Sequence, residues 1–593
     1  MSSDVVKKKA PPTTPGSSVS KCTPPTDATT KSLCAIRRIT HFVTLRRRLR
    51  VRAARGWLRI QHKIRRVSED TVTSGVRPAV RVEAWRARVL ASPASFAVVA
   101  LTVLAAVLRF AWIGRQGFWV DEGYTAMLVH LSPGKMLALI PKTESTPPLY
   151  YCVAWVLGRV FGYGEAGLRS LSAIAGVATV PVAYAAARKL ISNRAGLIAA
   201  ALTACSPLMI WYSQEARSYS LLVLLTAVSL LAFAYARARP TTRMLIAWVV
   251  ASGLALATHY YALLAIAPQA VWLLAAHGRR RSVQVGVGVV GLCGLALLPL
   301  AISQNGTDNA SWIGLLPLGL RLDQFIRQFL IGFQAPAQGL IEGIAAAITI
   351  VGLLLLMVSS DAIEQRGAFV AGGLAVGGFA LGLLMIAGGI DNVITRNMIA
   401  LWLPAALVVA AGLGARRAGV LGILAAAALC ATGIVAAVGV AADRNFQRPD
   451  WRVVARVLGT RAAPGVGARA ILIERYGELL PLSLYLPGLN FWRHNRATGV
   501  TELDIISFTV PWVPMCWWGA ACYLIDRGSL RPPPAQRQSF AAAPGFHQVW
   551  RRRAAQFTLT RLVSPTPVTL TRLTVSRGLT RTALRRDALM IQR

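Results

Sequence analysis

Acid is scarce in this chain: 24 Asp+Glu stand against 65 Lys+Arg in 593 residues, leaving a formal charge of +41. Charge of either sign is also thin, at 15%, while hydrophobic residues reach 54% and mean hydropathy is +0.50. So apolar a composition excludes an ordinary soluble enzyme of this length. The basic excess would suit nucleic acid, but it gathers in an N-terminal tail and between apolar runs. That distribution points to topology signals and membrane lipids, with no nucleic acid partner. Cysteine is sparse too: eight residues form no C-x-x-C pair, which argues against a zinc ribbon. Cys152, Cys205, Cys293 and Cys430 fall in or beside apolar runs, where a small buried hydrophobe is expected. Cys516 and Cys522 lie in a segment expected outside the cytoplasm, where a disulfide is permitted. No short internal repeat is evident.

Residues 1–93 hold 21 Lys+Arg and 5 Asp+Glu and offer no early apolar core of the signal-peptide kind. The expectation is a basic cytoplasmic tail, largely disordered, whose Arg-rich stretch 46–66 lies on the anionic leaflet as an interfacial helix. A translation start downstream of Met1 is the competing explanation.

Apolar runs recur from about residue 94 to 442, and the positive-inside rule assigns them. The first span, near 95–113, delivers Asp121 and Glu122 to the outside. The next apolar stretch, 147–162, is short. If it lies at the outer surface as a juxtamembrane helix, the later spans alternate so that every major basic loop falls inside. Those spans are expected near 168–188, 195–213, 219–236, 244–259, 261–277, 283–302, 339–358, 368–388, 397–414 and 419–441, eleven in all. The odd count places residues 443–593 outside. That segment alternates strand-like runs (470–474, 503–509, 556–563) with helix-like runs (450–458, 477–486), and 531–534 reads as a turn. The expected protein is therefore a multi-pass, α-helical cell-membrane protein of about eleven transmembrane helices. Its first outer loop spans 114–167, and a small extracytoplasmic α/β domain covers 443–593.

The outer face collects the residues with chemistry. Asp121 and Glu122, in Gly117-Phe118-Trp119-Val120-Asp121-Glu122, are paired carboxylates at the interface, suited to general-base work if part-buried. A solvated helix cap is the competing reading. The turn Tyr212-Ser213-Gln214-Glu215-Ala216-Arg217-Ser218-Tyr219 sets an acid, a base and two phenols between two spans. Arg217 is a candidate for holding a phosphate, and Glu215 and Tyr219 for positioning substrate, against a structural reading as helix caps. His259 with Tyr260 ends another span, and Glu144 precedes Thr146-Pro147-Pro148-Leu149-Tyr150-Tyr151. His259 and Glu144 are also the weak candidates for a divalent metal, which stays open. Arg396 enters the tenth span as a second candidate for a lipid phosphate, or as a snorkelling interfacial arginine. Trp512, Trp517 and Trp518 are either core or membrane-facing surface of the outer domain.

Trp119-Val120-Asp121-Glu122, Pro147-Pro148-Leu149-Tyr150-Tyr151, Gly164-Glu165-Ala166-Gly167-Leu168-Arg169, Ser206-Pro207 with the 212–219 turn, and Thr258-His259-Tyr260-Tyr261 together resemble the C-type (GT-C fold) membrane glycosyltransferases. The likeness is to the branch holding protein O-mannosyltransferases and the lipid A aminoarabinose transferase, over about 95–460. Arg448-Pro449-Asp450-Trp451-Arg452 also resembles bacterial members. The resemblance implies a polyprenyl-monophosphate sugar donor, such as a mannosyl one, and inverting transfer to a lipid, glycan or protein acceptor on the outer face. It makes Asp121 the catalytic base, with Arg217 or Arg396 on the departing phosphate and Glu122 and Glu215 positioning substrate. Some relatives use a divalent metal and others do not. The chain lacks the inserted β-trefoil-like domain of animal and fungal protein mannosyltransferases, which weakens the case for a protein acceptor. Two other classes compete: a transporter or flippase of a lipid-linked sugar, and a basic-tailed scaffold without chemistry. A transporter would carry its ionisable groups near mid-membrane, whereas these sit at one face.

Overall fold

A computed structural model describes residues 92–592 apart from 308–309, 311–312, 315, 460–466, 474–478, 493–496, 509–523, 527–528, 532–544 and 572–587. The expected disordered tail, its interfacial helix, the Cys516–Cys522 pair, the three tryptophans of 512–518 and most of the 531–534 turn lie outside the described residues.

Eighteen α-helices run through the described residues. The first, α1 (Pro93–Phe110), starts where Ser92 caps the Ser95 amide and Pro93 fills a position needing no N–H donor. Three short helices follow α1: α2 (Val120–Val129), α3 (Pro133–Thr143) and α4 (Leu149–Phe161). The helix expected from the Pro147-Pro148 pair is thus present, and Gly162, at φ 85°, ends it. Next come α5 (Glu165–Leu190), α6 (Asn193–Cys205), α7 (Pro207–Ser213), α8 (Tyr219–Ala238), α9 (Thr242–Thr258), α10 (Ala262–His277), α11 (Arg281–Asn305), α12 (Leu318–Ile331), α13 (Gln338–Ser359), α14 (Ala362–Ala387), α15 (Trp402–Leu413) and α16 (Gly419–Ala442). Seven helices are long and apolar enough to cross a membrane: α1, α5, α8, α11, α13, α14 and α16 with its leading turn. The pair α6 and α7, bent by 55°, makes an eighth. Helices α9, α10 and α15 are shorter apolar segments, as is α4.

The bend has a local cause. Pro207 supplies no N–H and biases Ser206 away from helix, so α6 stops at Cys205 and Ser206 caps a new helix through the Met209 amide. The carbonyls freed at the end of α6 are taken by Arg109 of α1, whose guanidinium donates to Thr203 O at 2.8 Å and Ala204 O at 2.9 Å. In return Gln214, just past α7, donates to the carbonyls of Leu108, Arg109 and Ala111 at the end of α1. The two helix ends therefore cap each other and fix the turn that follows. Around them the helices pack through small faces, with Ala183, Ala187, Ala195, Ala199, Ala236, Ala255 and Ala410 fully buried beside Leu222, Phe233 and Trp248.

Beyond α16 the chain changes to an α/β unit: α17 (Trp451–Leu458), β1 (Ala468–Ile473), α18 (Leu479–Tyr485), β2 (Leu489–Phe491), β3 (Thr498–Phe508), the hairpin β4 (Leu524–Asp526) and β5 (Ser529–Arg531), β6 (His547–Ala554), β7 (Phe557–Leu570) and β8 (Ala588–Gln592). Six strands form one sheet in the order β2-β8-β1-β3-β7-β6. Only β1 and β3 run parallel, joined by the crossover through α18. Trp451, Leu458, Ile471, Leu482, Phe557 and Met590 close the core between the two helices and the sheet. The sequence-expected strands and helices of this segment match observed elements, with β3 and β7 longer than their apolar patterns. Residue 531, expected in a turn, ends β5 instead, because it pairs in register with Leu524.

Candidate active site

The turn 213–219 is the hub of the site, reaching α1, α2, the first loop and the segment after α16. Gln214 holds α1, as above. The Ala216 amide donates to Glu122 Oε1 at 2.8 Å. Arg217 donates to Glu144 Oε2 at 2.8 Å and to the Asp121 carbonyl at 3.2 Å, and its own carbonyl accepts from Ser172. Glu215 meets Arg448, which follows α16, at 2.9 Å.

Four carboxylates and four guanidiniums are thereby matched one to one: Glu122 with Arg169, Glu144 with Arg217, Glu215 with Arg448 and Asp121 with Arg396. Three pairs are sealed. Glu122 is fully buried and receives Arg169 Nε at 2.7 Å and Nη2 at 2.6 Å, while the rest of that guanidinium donates to the carbonyls of Ile113, Gln116 and Gly117. A bidentate pair with all donors used holds a loop in place. Burial pulls the Glu122 carboxyl up, but the charge and hydrogen bonds of Arg169, the charge of Arg448 and the Ala216 amide outweigh it and leave the group below the usual range. Glu144 accepts the Tyr151 hydroxyl at 2.5 Å as well as Arg217, yet burial wins and raises it. Burial likewise lifts Glu215 to about 7 against the opposing charge of Arg448.

The fourth pair is different. Arg396 Nη1 lies 2.9 Å from Asp121 Oδ2, with side chains 18% and 24% exposed. Helix α2 begins at Val120, so Asp121 stands in its first turn, where the helix dipole favours negative charge. Arg396 comes from the 388–398 turn, anchored nearby by Arg321 on Asp391 at 2.5 and 2.9 Å.

These contacts correct part of the sequence expectation. Glu122 does not share the open face with Asp121, because one helical step turns it inward onto Arg169. Glu215 is likewise turned away, onto Arg448. Tyr219 is buried, its ring tilted against those of Tyr212 (centroids 4.8 Å apart) and His259 (5.7 Å). His259 is buried, its Nδ1 accepts the Tyr261 amide, and burial with the charges of Arg217 and Arg396 lowers it to about 3, so it is neutral. Tyr260 donates to Gln304, which reaches the carbonyls of Ile140 and Thr146 and ties α11 to the first loop. Glu144 Oε2 takes both Arg217 and Tyr151, and its Oε1 is buried without a hydrogen-bond partner among the described residues. Among the described residues no three His, Cys, Asp or Glu side chains stand together as a metal site. Sequence reasoning gave no role to Arg169, Tyr151 or Arg448. The available signal was Arg169 and Arg448 themselves, since an arginine next to an apolar span needs a buried partner.

The matching continues into the α/β unit. Asp450 Oδ1 accepts the Gly117 amide at 3.1 Å while capping α17, and Arg452 pairs with Glu165 at 3.3 Å. Tyr485 donates to Glu165 at 2.7 Å and accepts the Phe118 amide at 2.6 Å. The Arg448-Pro449-Asp450-Trp451-Arg452 motif thus clasps the loop that presents Asp121.

Residues 145–302 match the family model described as dolichyl-phosphate-mannose-protein mannosyltransferase. Among curated proteins no sequence matches. Among solved structures, ArnT from Cupriavidus metallidurans bound to undecaprenyl phosphate is similar at 14% identity and a TM-score of 0.47, covering 78% of this chain and 97% of that one. The Archaeoglobus fulgidus oligosaccharyltransferase tethered with an acceptor peptide gives 12% identity, a TM-score of 0.43 and coverage of 81% and 74%. The arabinofuranosyltransferase AftD from Mycobacteria gives 15%, 0.37, and 76% and 40%. All three likenesses are below a TM-score of 0.5, so the chemistry rests on this chain's own residues. The family-model match covers residues 145–302, which hold the 147–151, 164–169, 206–219 and 258–261 motifs.

Proposed function

We propose that this protein moves a sugar, mannose or another hexose or pentose, from a polyprenyl-monophosphate donor to an envelope acceptor on the outer face of the membrane. Eleven crossings, with residues 1–93 inside and 443–593 outside, put the whole constellation on that face. The observation that carries the reading is the Asp121–Arg396 pair: of the four acid–arginine pairs it alone is part-open, whereas the other three hold the loops around it.

In this reading the donor phosphate draws Arg396 from Asp121, leaving the carboxylate free to accept a proton. The acceptor hydroxyl gives that proton to Asp121 as its oxygen bonds to the anomeric carbon. The bond from that carbon to the phosphate oxygen breaks, and the lipid phosphate departs with the electron pair against Arg396. A single displacement inverts the anomeric centre. Glu122, Glu144 and Glu215 act by position: Glu122–Arg169 fixes the start of α2, Glu144 holds Arg217 on the Asp121 carbonyl, and Glu215 locks the turn to Arg448. If a divalent metal takes part, no third ligand joins Glu144 or His259 among the described residues.

The test measures sugar transferred per minute by purified protein from radiolabelled polyprenyl-phosphate mannose to an envelope acceptor fraction. Asp121→Asn is expected to fold and to lose transfer by about 10²–10⁴-fold, the usual contribution of a general base. A folded Asp121→Asn protein working at the wild-type rate would sink the assignment. Wild-type protein that moves a lipid-linked sugar across liposomes but transfers none would establish the flippase instead.

A further inference from the structure

An open cavity lies beside the 213–219 turn, lined by neither Asp121 nor Arg396, with room inside it of about 50 Å³. Trp112 and Arg115 after α1, Trp211 of α7, Gln334 and Arg448 line it, with the outer end of α16 at residues 437–441. Close packing defines that end: a Cβ on Gly439 would stand 2.5 Å from Pro336, so only glycine lets α16 meet the segment carrying Gln334. Arg115 donates to Ala441 O at 3.2 Å and bridges α1 to α16.

Three features of the lining are unusual. Gln334 is 2% exposed, yet neither its amide nitrogen nor its oxygen has a hydrogen-bond partner. Arg448 Nε is likewise buried without one. A primary amide left unpaired in the interior is costly unless something fills the space. Trp112 holds a left-handed backbone, φ 61°, while 55% exposed at the mouth. The lining carries three arginines and no carboxylate; Arg169 and Arg448 are paired behind it with Glu122 and Glu215, and Arg115, among the described residues, is not.

An occupant that satisfies all of this offers an anionic oxygen to Arg448 Nε and the amide nitrogen, and a hydroxyl to the amide oxygen. Its surroundings say how it arrives. Helices α1 and the α16 span are outward-facing, like α11 and α13, only 11% and 17% buried, and Val107, Phe110, Val435 and Val438 stay exposed on them. Apolar chains can lie along that face with the head in the cavity. We propose that this cavity binds the hydroxylated phosphodiester headgroup of an anionic membrane lipid, at a site separate from the Asp121–Arg396 pair. The proposal does not depend on the transfer reaction.

The full chain, purified in neutral detergent, is titrated with phosphatidylglycerol, phosphatidylcholine, polyprenyl phosphate or inorganic phosphate, and thermal unfolding and lipid retained in native mass spectra are read. Phosphatidylglycerol is expected to raise the melting temperature and remain bound, the others not. Gln334→Leu removes an unpaired amide at equal size, so it is expected to unfold no lower than wild type without lipid and to bind phosphatidylglycerol at least tenfold more weakly. Gln334→Glu is expected to abolish binding by repulsion. Equal shifts with phosphatidylcholine, equal shifts with inorganic phosphate, or undiminished binding by both variants would overturn the proposal. So would binding of polyprenyl phosphate in place of phosphatidylglycerol, which would assign the cavity to the donor.

Discussion

Neighbouring carboxylates with nearly the same sequence context end in opposite situations, and the reason is helical geometry. Asp121 and Glu122 are one residue apart, about 100° around α2, so one faces the opening and the other the packed side. Each buried carboxylate survives because an arginine meets it; taking away either partner strands a charge, which costs about 3–5 kcal/mol. Glu215 lends itself to a pH test. Its folded pKa, about 7, lies above the ordinary 4.5, so folding favours the protonated form. That contribution is fully present below the unfolded value and is lost as pH rises from about 4.5 through about 7. Glu215→Gln, whose amide oxygen can still accept from Arg448, is expected to flatten this leg of the stability profile. Melting temperatures of both proteins at intervals across that range check it; parallel profiles would exclude Glu215 as the titrating group.

Elements were legible wherever a local signal sets them. Pro147-Pro148 marked the start of α4, and the apolar runs of 168–188 and 419–441 fell within observed helices, whereas the single span expected over 195–213 is broken at Ser206-Pro207 into α6 and α7. The loop between α1 and α2 was not legible, since its shape comes from contacts with residues more than 300 positions away. Gly117 shows the constraint: a Cβ there would lie 2.7 Å from Asp450 Oδ1 and 2.9 Å from the Arg452 Cβ. Gly117→Ala is therefore expected to push the Asp450–Arg452 clasp off the loop, at about 1–3 kcal/mol of stability and with reduced transfer. Gly134→Ala, in α3 with nothing within 4 Å, serves as the comparison and is expected to leave both unchanged. Equal melting temperatures for the two variants would show that the loop yields freely.

For the whole molecule, the decisive quantity is the parity of the crossings. Seven long helices, a bent pair and the three short helices α9, α10 and α15 give an odd number if α4 stays at the surface, and an even number if it crosses. The charge pattern favours the first, with Arg188, Lys189 and Arg194 on the cytoplasmic side. Single cysteines placed in an otherwise cysteine-free chain test it. A membrane-impermeant maleimide added to intact cells is expected to label a cysteine at exposed Val549 in β6 and to leave one at Arg188 unlabelled until the membrane is opened. The reverse pattern, with Arg188 labelled from outside and Val549 protected, would mean that α4 crosses.

The sequence by itself determined that this is a membrane protein, where its apolar helices run and which residue types gather in the connectors around Asp121. Hydropathy, proline breaks and the Arg/Lys distribution are local or additive properties, so they can be read in one dimension. Tertiary structure alone decided which arginine meets which carboxylate, because Glu122 with Arg169, Glu215 with Arg448 and Asp121 with Arg396 are separated by 47, 233 and 275 positions. It also left Asp121 as the part-open acid of the four pairs and shaped a cavity around Gln334, a residue that carries no signal in the sequence.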